Sequence, residues 1–132
     1  MQNKNSWPVE LKQVPLFAGL TDAERLQVLD TMVLRSFASD EVILRQGIVT
    51  QNVWVLIDGC CQVMREPELG TLGKTVQLAE IQPFESFGEM TMFDQLPHCT
   101  SVWAKTDVKT LKLRRADFEQ LMDRDSTIAC RL

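Results

Sequence analysis

The order of hydrophobic and polar residues predicts a helix near the start of the chain, before a region of β-strands. Thr21 and Glu24 have the spacing of a capping box, in which each side chain bonds the other residue's backbone N–H. Leu26, Leu29 and Val33 follow at helical spacing. This pattern predicts one buried stripe along the first helix.

Short hydrophobic runs separated by turn residues fill the middle of the chain. Residues 53–57 read VWVLI, and an apolar residue at every position is typical of a strand covered on both faces. Asp58-Gly59 comes next, and this dipeptide between two apolar runs predicts a hairpin because glycine accepts the positive φ of a tight turn. Residues 66–74 predict an exposed loop. The predicted strands are 42–44, 53–57, 60–64, 76–81, 101–104 and 108–113, followed by a helix over 117–122 in which Phe118, Leu121 and Met122 share a face.

Many short strands with helices at both ends predict a mainly β fold. The expected architecture is an antiparallel jelly roll, or double-stranded β-helix barrel, with flanking helices. We expect residues 1–10 to be a lead-in, residues 11–125 to form one domain and residues 126–132 to be a tail. Periodicity alone does not distinguish a ligand-binding roll from an enzyme of the cupin type.

Composition excludes several classes of function. The chain has 132 residues, a charged fraction of 24% and a net charge of −4, so it lacks the broad basic field that DNA binding needs. Its apolar runs are too short to span a bilayer, and its first ten residues lack a signal-peptide core. The four cysteines show no metal-ligand spacing. These features predict a reduced, cytoplasmic protein without a membrane segment.

Catalysis is also disfavoured by the residues present. His98 is the only histidine, whereas jelly-roll metal sites usually need several histidine or carboxylate ligands. No serine or cysteine has a recognisable base partner. We therefore expect neither an enzyme nor a metal or other cofactor.

One stretch carries the functional signal. Residues 87–101 read FGEMTMFDQLPHCTS, in which Phe87-Gly88-Glu89 is followed by eight residues and then His98. This stretch resembles the phosphate-binding cassette of the cyclic-nucleotide-binding domain family, which has an arginine where His98 stands. The resemblance implies that Glu89 holds a ribose hydroxyl and that His98 stands where the family's arginine holds the phosphate. His98 is then either a replacement phosphate contact or, as we favour, a polar residue in a vacated pocket. The candidate ligand-binding residues are Phe87, Gly88, Glu89, Met90, Pro97, His98, Cys99, Thr100 and Ser101.

The resemblance extends over most of the chain. The segments LKQVPLFAGLTDAER, EVILRQG, VWVLIDG and TDVKTLKLRRADFEQLM are similar to the family's opening helix, first strands, and closing strand and helix. Gly47 and Gly59 stand at expected glycines, whereas Asp40 and Phe84 stand where the family often has turn glycines. The resemblance therefore implies the family's β-roll with a substituted cassette.

Two functions follow from the resemblance. The first is a regulatory or sensor domain that binds cAMP or cGMP, with weakened affinity because His98 replaces the arginine. Losing one hydrogen bond to a charged group removes about 1.5–3 kcal/mol, or one to two decades of affinity. The second is a degenerate domain that acts as an interaction or allosteric module without nucleotide. The partners expected by analogy are a second copy of the chain or an output domain.

Overall fold

Helices flank a set of short strands in the computed structural model, which describes residues 14–67, 72–88 and 97–124. The helices are a 3₁₀ turn at Pro15–Phe17, α1 at Asp22–Thr31 and α2 at Arg115–Arg124. The strands are β1 (Val33–Phe37), β2 (Val42–Leu44), β3 (Asn52–Asp58), β4 (Cys61–Arg65), β5 (Val76–Ile81), β6 (Ser86–Phe87), β7 (Ser101–Ala104) and β8 (Val108–Arg114). No helix in these ranges is long and apolar enough to cross a membrane.

The strands form two antiparallel sheets, with the orders β1-β8-β3-β6 and β2-β7-β4-β5. Each odd-numbered strand passes directly to the next strand in the other sheet, so the chain turns through corners at residues 38–41, 59–60, 82–85 and 105–107. Because all the pairings are antiparallel, these corners share one end of the roll. The opposite end, here called the open end, contains residues 45–51, 66–67, 72–75 and 97–100. This topology confirms the predicted antiparallel roll with flanking helices.

The predicted hairpin at Asp58-Gly59 is wrong. β3 pairs with β6 and β8, whereas β4 pairs with β5 and β7. Gly59 has the positive φ (94°) that the dipeptide signals, but it turns the chain from one sheet into the other. A Cβ at Gly59 would lie 2.5 Å from the carbonyl oxygen of Asp107, so the neighbouring corner packs against this glycine. The dipeptide therefore predicts the backbone conformation but not the strand partner.

Two corners contain a residue other than glycine in the left-handed region. Asp40 has a φ of 75° and Phe84 a φ of 73°. The N–H of Asp40 donates to Ala104 O at 2.7 Å, and the N–H of Phe84 donates to Leu56 O at 2.7 Å. Both corners thus have the conformation that glycine favours, although both side chains make it strained.

The sheet containing β3 separates two hydrophobic clusters. Val53, Val55 and Ile57 pack with the helices, in a cluster that includes Phe17, Val28 and Phe118. The inner cluster lies between the sheets and consists of Leu44, Trp54, Leu56, Cys61, Ile81, Phe87, Val102, Ala104 and Val108. The alternation along β3 confirms that this strand is covered on both faces.

The first helix begins as predicted but buries a different stripe. The hydroxyl of Thr21 accepts from Glu24 N at 3.2 Å, and Glu24 Oε1 accepts from Thr21 N at 2.8 Å, which confirms the capping box. Leu26 is 56% exposed, whereas Val28 and Leu29 are buried. The predicted stripe was thus right at Leu29 and wrong at Leu26, and it was wrong at Val33 because α1 ends at Thr31 and Val33 already begins β1.

The closing helix is longer than predicted, extending over Arg115–Arg124 instead of 117–122. Phe118 and Leu121 are buried on the face that was predicted. The side chain of Met122 lies outside what the structure describes. Residues 66–67 and 72–74 of the predicted loop form neither helix nor strand.

Candidate functional site

Gly88 lies where the chain leaves β6, with a φ of 84°. A Cβ at this position would lie 3.0 Å from Asn52 O and 3.3 Å from both Leu44 Cδ1 and Trp54 Cδ1. Any side chain would therefore combine backbone strain with close contact on three sides. The main chain approaches β3 here in a way that requires glycine.

The side chain of Phe87 is buried in the core and is not available at the open end. It is 6% exposed, and its ring stacks on that of Trp54 at a centroid distance of 6.2 Å. Phe37 meets the same indole edge-on at 5.6 Å. Phe87 therefore anchors the start of the cassette in the inner cluster. Glu89 and Met90, the next two candidate residues, lie outside the described residues.

His98 is buried and held by the segment that connects β2 to β3. It is 7% exposed, and its Nε2 lies 2.6 Å from the hydroxyl oxygen of Thr50. Its backbone N–H donates to Ile48 O at 3.1 Å, and its carbonyl accepts from Gly47 N at 2.9 Å. The imidazole thus occupies a fixed place, with one ring nitrogen already paired.

Ser101 also joins the cassette to residues 45–51. Its side chain is fully buried, and its hydroxyl oxygen accepts from Gln46 N at 2.8 Å. The amide group of Gln46 bonds the backbone of Glu66 twice, at 2.9 and 3.1 Å. Ser101 and Gln46 therefore fix three connections of the open end relative to one another.

The remaining candidates lie in the same described segment as His98. Pro97 and Cys99 are exposed, and Thr100 is half-buried. Sequence reasoning missed Thr50 and Gln46, which hold the segment in place. Neither residue stands out in the sequence, because both act through contacts with residues about 50 positions away.

Lys112 is a charged side chain in contact with the buried aromatic residues, and sequence reasoning also missed it. Its Nζ lies 5.4 Å from the centroid of the Trp54 ring. Burial lowers the pKa of Lys112, and the charges of Arg35 and Arg114 lower it further. The strand order places Lys112 and Phe87 on opposite sides of Trp54, since β8 and β6 flank β3.

The thiols of Cys60 and Cys61 are not activated. Burial raises the pKa of the Cys61 thiol to about 11, with a smaller contribution from Cys60. Burial and the nearby Glu80 carboxylate raise the pKa of Cys60. Within the described ranges there is also no group of three or more His, Cys, Asp or Glu side chains that could hold a metal ion.

Comparison with known proteins identifies a family model that covers most of the chain. The model described as "Cyclic nucleotide-binding domain" matches residues 34–125, which is more than half of the sequence. A cAMP-dependent protein kinase regulatory subunit from Emericella nidulans is 28% identical over 121 residues, covering 92% of this chain and 28% of the relative. The chain therefore spans little more than a quarter of that relative's length.

Solved structures share the fold. The catabolite activator protein of Thermus thermophilus is 31% identical with a TM-score of 0.76, covering 89% of this chain and 54% of that protein. A regulatory subunit of a cAMP-independent protein kinase A from Trypanosoma cruzi, bound to guanosine, is 25% identical with a TM-score of 0.74. The match covers 92% of this chain and 42% of that structure.

Proposed function

Since the chain belongs to the cyclic nucleotide-binding domain family, we propose that it is a non-catalytic regulatory domain whose affinity for cAMP and cGMP is weakened. The observation that carries this proposal is the buried histidine at the position of the phosphate arginine. The relative from Emericella nidulans is a regulatory subunit, which supports a regulatory role.

The environment of His98 favours weaker phosphate binding. Arginine offers five N–H donors and a permanent positive charge. The imidazole has two ring nitrogens, and Nε2 already lies 2.6 Å from Thr50 Oγ1. A phosphate at this position would thus lack a permanent cationic partner among the cassette residues that are described.

The geometry of Gly88 supports retention of ligand binding at this end of the roll. Its φ of 84° and its close approach to Asn52 and Trp54 keep the first part of the cassette against β3. Glu89 follows it directly and is the proposed contact for a ribose hydroxyl. The domain would thus keep the contacts to the sugar while losing charge at the phosphate.

Calorimetric titration with cAMP and cGMP at about pH 7 tests this proposal. His98→Arg should bind a cyclic nucleotide at least about tenfold more tightly than the unchanged chain, because it restores a charge-assisted contact. Cys99→Arg is a matched control, since it adds the same charge at an exposed neighbouring position and should give a smaller gain. Submicromolar affinity of the unchanged chain would contradict the weakened site. Equal gains in the two variants would contradict the specific role of His98.

A nucleoside without phosphate is a second candidate ligand. The Trypanosoma cruzi relative is bound to guanosine, and a cassette with a histidine in place of the arginine is better suited to an uncharged ligand. The same titration should then include guanosine and adenosine. Tighter binding of a nucleoside than of its cyclic phosphate would favour this candidate, and the reverse order would reject it.

The partner that receives the signal is also a proposal. The relative from Emericella nidulans is more than three times as long as the matched region, because the match covers 28% of it. A second copy of this chain or an attached output domain would fit a regulatory role. Light scattering with and without the bound ligand distinguishes a dimer from a monomer.

A further inference from the structure

Three cationic side chains share one face of the sheet that contains β1 and β8. Residues directly opposite each other in an antiparallel pair point to the same face, as do alternate residues along a strand. Arg35 pairs with Thr110, and Trp54 pairs with Lys112. Since Thr110, Lys112 and Arg114 alternate along β8, the side chains of Arg35, Lys112 and Arg114 lie on the face that holds Trp54. These three residues are here called the cationic face.

The cationic face belongs to the inner side of the sheet, which also holds the inner cluster, but its three side chains are accessible although Trp54 beside them is buried. Arg35 is exposed, Lys112 is half-buried and the side chain of Arg114 is 55% exposed. Trp54 is only 5% exposed, and the Lys112 ammonium lies above its ring. The half-buried ammonium of Lys112 thus makes a cation–π contact with the buried indole.

The positive charges of this face are largely unbalanced. Arg114 pairs with Asp117 at 2.8 Å, whereas Arg35 and Lys112 form no salt bridge with any residue that the structure describes. Burial lowers the pKa of Lys112, and repulsion by the charges of Arg35 and Arg114 lowers it further. Although the net charge of the chain is −4, three cationic side chains thus lie close together on this face and repel one another. A bound anion would relieve that repulsion.

The arrangement favours an extended polypeptide over a nucleic acid. The cluster is too small, and the whole chain too acidic, to attract a polyanion along its length. Arg35 and Lys112 are diagonal neighbours across the β1–β8 pair, because Arg35 pairs with Thr110 and Lys112 lies two residues further along β8. Such neighbours are about 7–8 Å apart, which is close to the spacing of alternate side chains in an extended segment. Within the described chain β1 has a partner strand on one side only, so an edge lies beside Arg35. Sheet edges commonly accept extended segments.

We propose that the cationic face docks an extended acidic segment of a partner protein. Carboxylates on alternate residues of that segment would lie against Arg35 and Lys112. The proposal concerns a surface other than the cassette and does not depend on which ligand the cassette binds.

Backbone amide NMR with a synthetic heptapeptide of alternating glutamate and valine tests the proposal. We expect shift changes concentrated in β1 and β8, and none with a peptide of alternating lysine and valine. Combined Arg35→Gln and Lys112→Gln changes should lower the affinity about tenfold, since two charge contacts are lost. Lys109→Gln is the matched control, because Lys109 is exposed on β8 but alternates with Lys112 and so points to the other face. It should change the affinity by less than about twofold.

Three results would overturn the proposal. One is the absence of shift changes in β1 and β8 at millimolar peptide. Another is an equal loss of affinity in the Lys109→Gln variant, which would indicate attraction by charge alone. A third is displacement of the peptide by an equal concentration of inorganic phosphate, which would indicate a site for small anions. The amide spectrum of each variant also reports whether it is folded.

Discussion

At the scale of single residues, two corners adopt the left-handed backbone region without a glycine. Asp40 and Phe84 have φ values of 75° and 73°, so the backbone retains the turns for which glycine is suited. Aspartate tolerates this region better than most residues, whereas an aromatic residue is disfavoured there. Phe84 offsets its strain by packing against the cluster that faces the helices. Replacement of a glycine therefore does not imply that the turn has changed.

Asp40 gives a test of this interpretation. Asp40→Gly should be more stable than Asp40→Ala by about 1 kcal/mol, because alanine is strained at positive φ and glycine is not. Urea unfolding of the two variants measures the difference. The same pair of changes at Lys109, an exposed strand position, should show the opposite order because glycine weakens a strand interior. Equal stabilities at position 40 would mean that the corner relaxes to another conformation.

At the scale of elements, the contacts between corners hold the two sheets together. The carbonyl of Cys60 accepts from Lys105 N at 2.9 Å, and the hydroxyl of Thr106 accepts from Cys60 N at 3.1 Å. The β3–β4 corner therefore rests directly on the β7–β8 corner. A Cβ at Gly59 would lie 2.5 Å from the carbonyl oxygen of Asp107, so this position excludes a side chain more strictly than a glycine in an open turn does.

Gly59→Ala should consequently be far more damaging than Gly47→Ala. Both glycines have positive φ, 94° and 84°, but a Cβ at Gly47 would meet nothing within 4 Å. We expect Gly47→Ala to lose about 1 kcal/mol of unfolding free energy through backbone strain alone. Gly59→Ala should lose at least about 2–3 kcal/mol, since its Cβ would also clash with the β7–β8 corner. Similar losses in the two variants, measured by thermal unfolding, would contradict this packing.

At the scale of the whole molecule, the inner cluster makes stability sensitive to alkaline pH. Cys61 is fully buried in that cluster, and its pKa of about 11 compares with an ordinary value of 9.0. A raised pKa in the folded state means that the unfolded chain loses this proton first. The contribution of Cys61 to stability is therefore complete below pH 9.0 and is lost as the pH rises through about 11.

The corresponding experiment compares the free energy of unfolding between pH 8 and 11 in two cysteine variants. Cys61→Ala should show a shallower decline than the unchanged chain, because the thiol that resists ionisation is gone. Cys99→Ala should leave the decline unaltered, since Cys99 is exposed. The chain contains no tyrosine, which removes another side chain that titrates in this range. Identical slopes in the unchanged chain and in Cys61→Ala would contradict the assigned burial.

Most of the fold was predictable because its signals are local. The capping box of Thr21 and Glu24, the apolar strand 53–57 and the closing helix all depend on side chains a few positions apart. The hairpin at Asp58-Gly59 and the stripe through Leu26 were wrong for one shared reason. Each prediction depended on where the next helix or strand lies, and a short sequence pattern does not contain that information.

The candidate site likewise has one part that local sequence predicts and one part that it does not. The spacing from Phe87-Gly88-Glu89 to His98 predicts where the cassette lies, since all of its residues are close together in the sequence. The roles of Thr50 and Gln46 were not predictable, because their bonds to His98 and Ser101 join segments that only the roll brings together. Lys112 was missed because its proposed role depends on the nearby charge of Arg35, which lies on another strand.

The sequence by itself determined the family and the approximate positions of six of the eight described strands, since each is encoded in neighbouring residues or in the order of motifs. It missed β1 and β6, because Val33 was assigned to the first helix and β6 has only two residues. The tertiary structure alone decided that Asp58-Gly59 joins two sheets, that the ring of His98 is buried beside Thr50 and that three cations converge on one face. These features arise from pairings between strands distant in sequence. Their physical basis is the closure of the roll, which fixes which side chains meet.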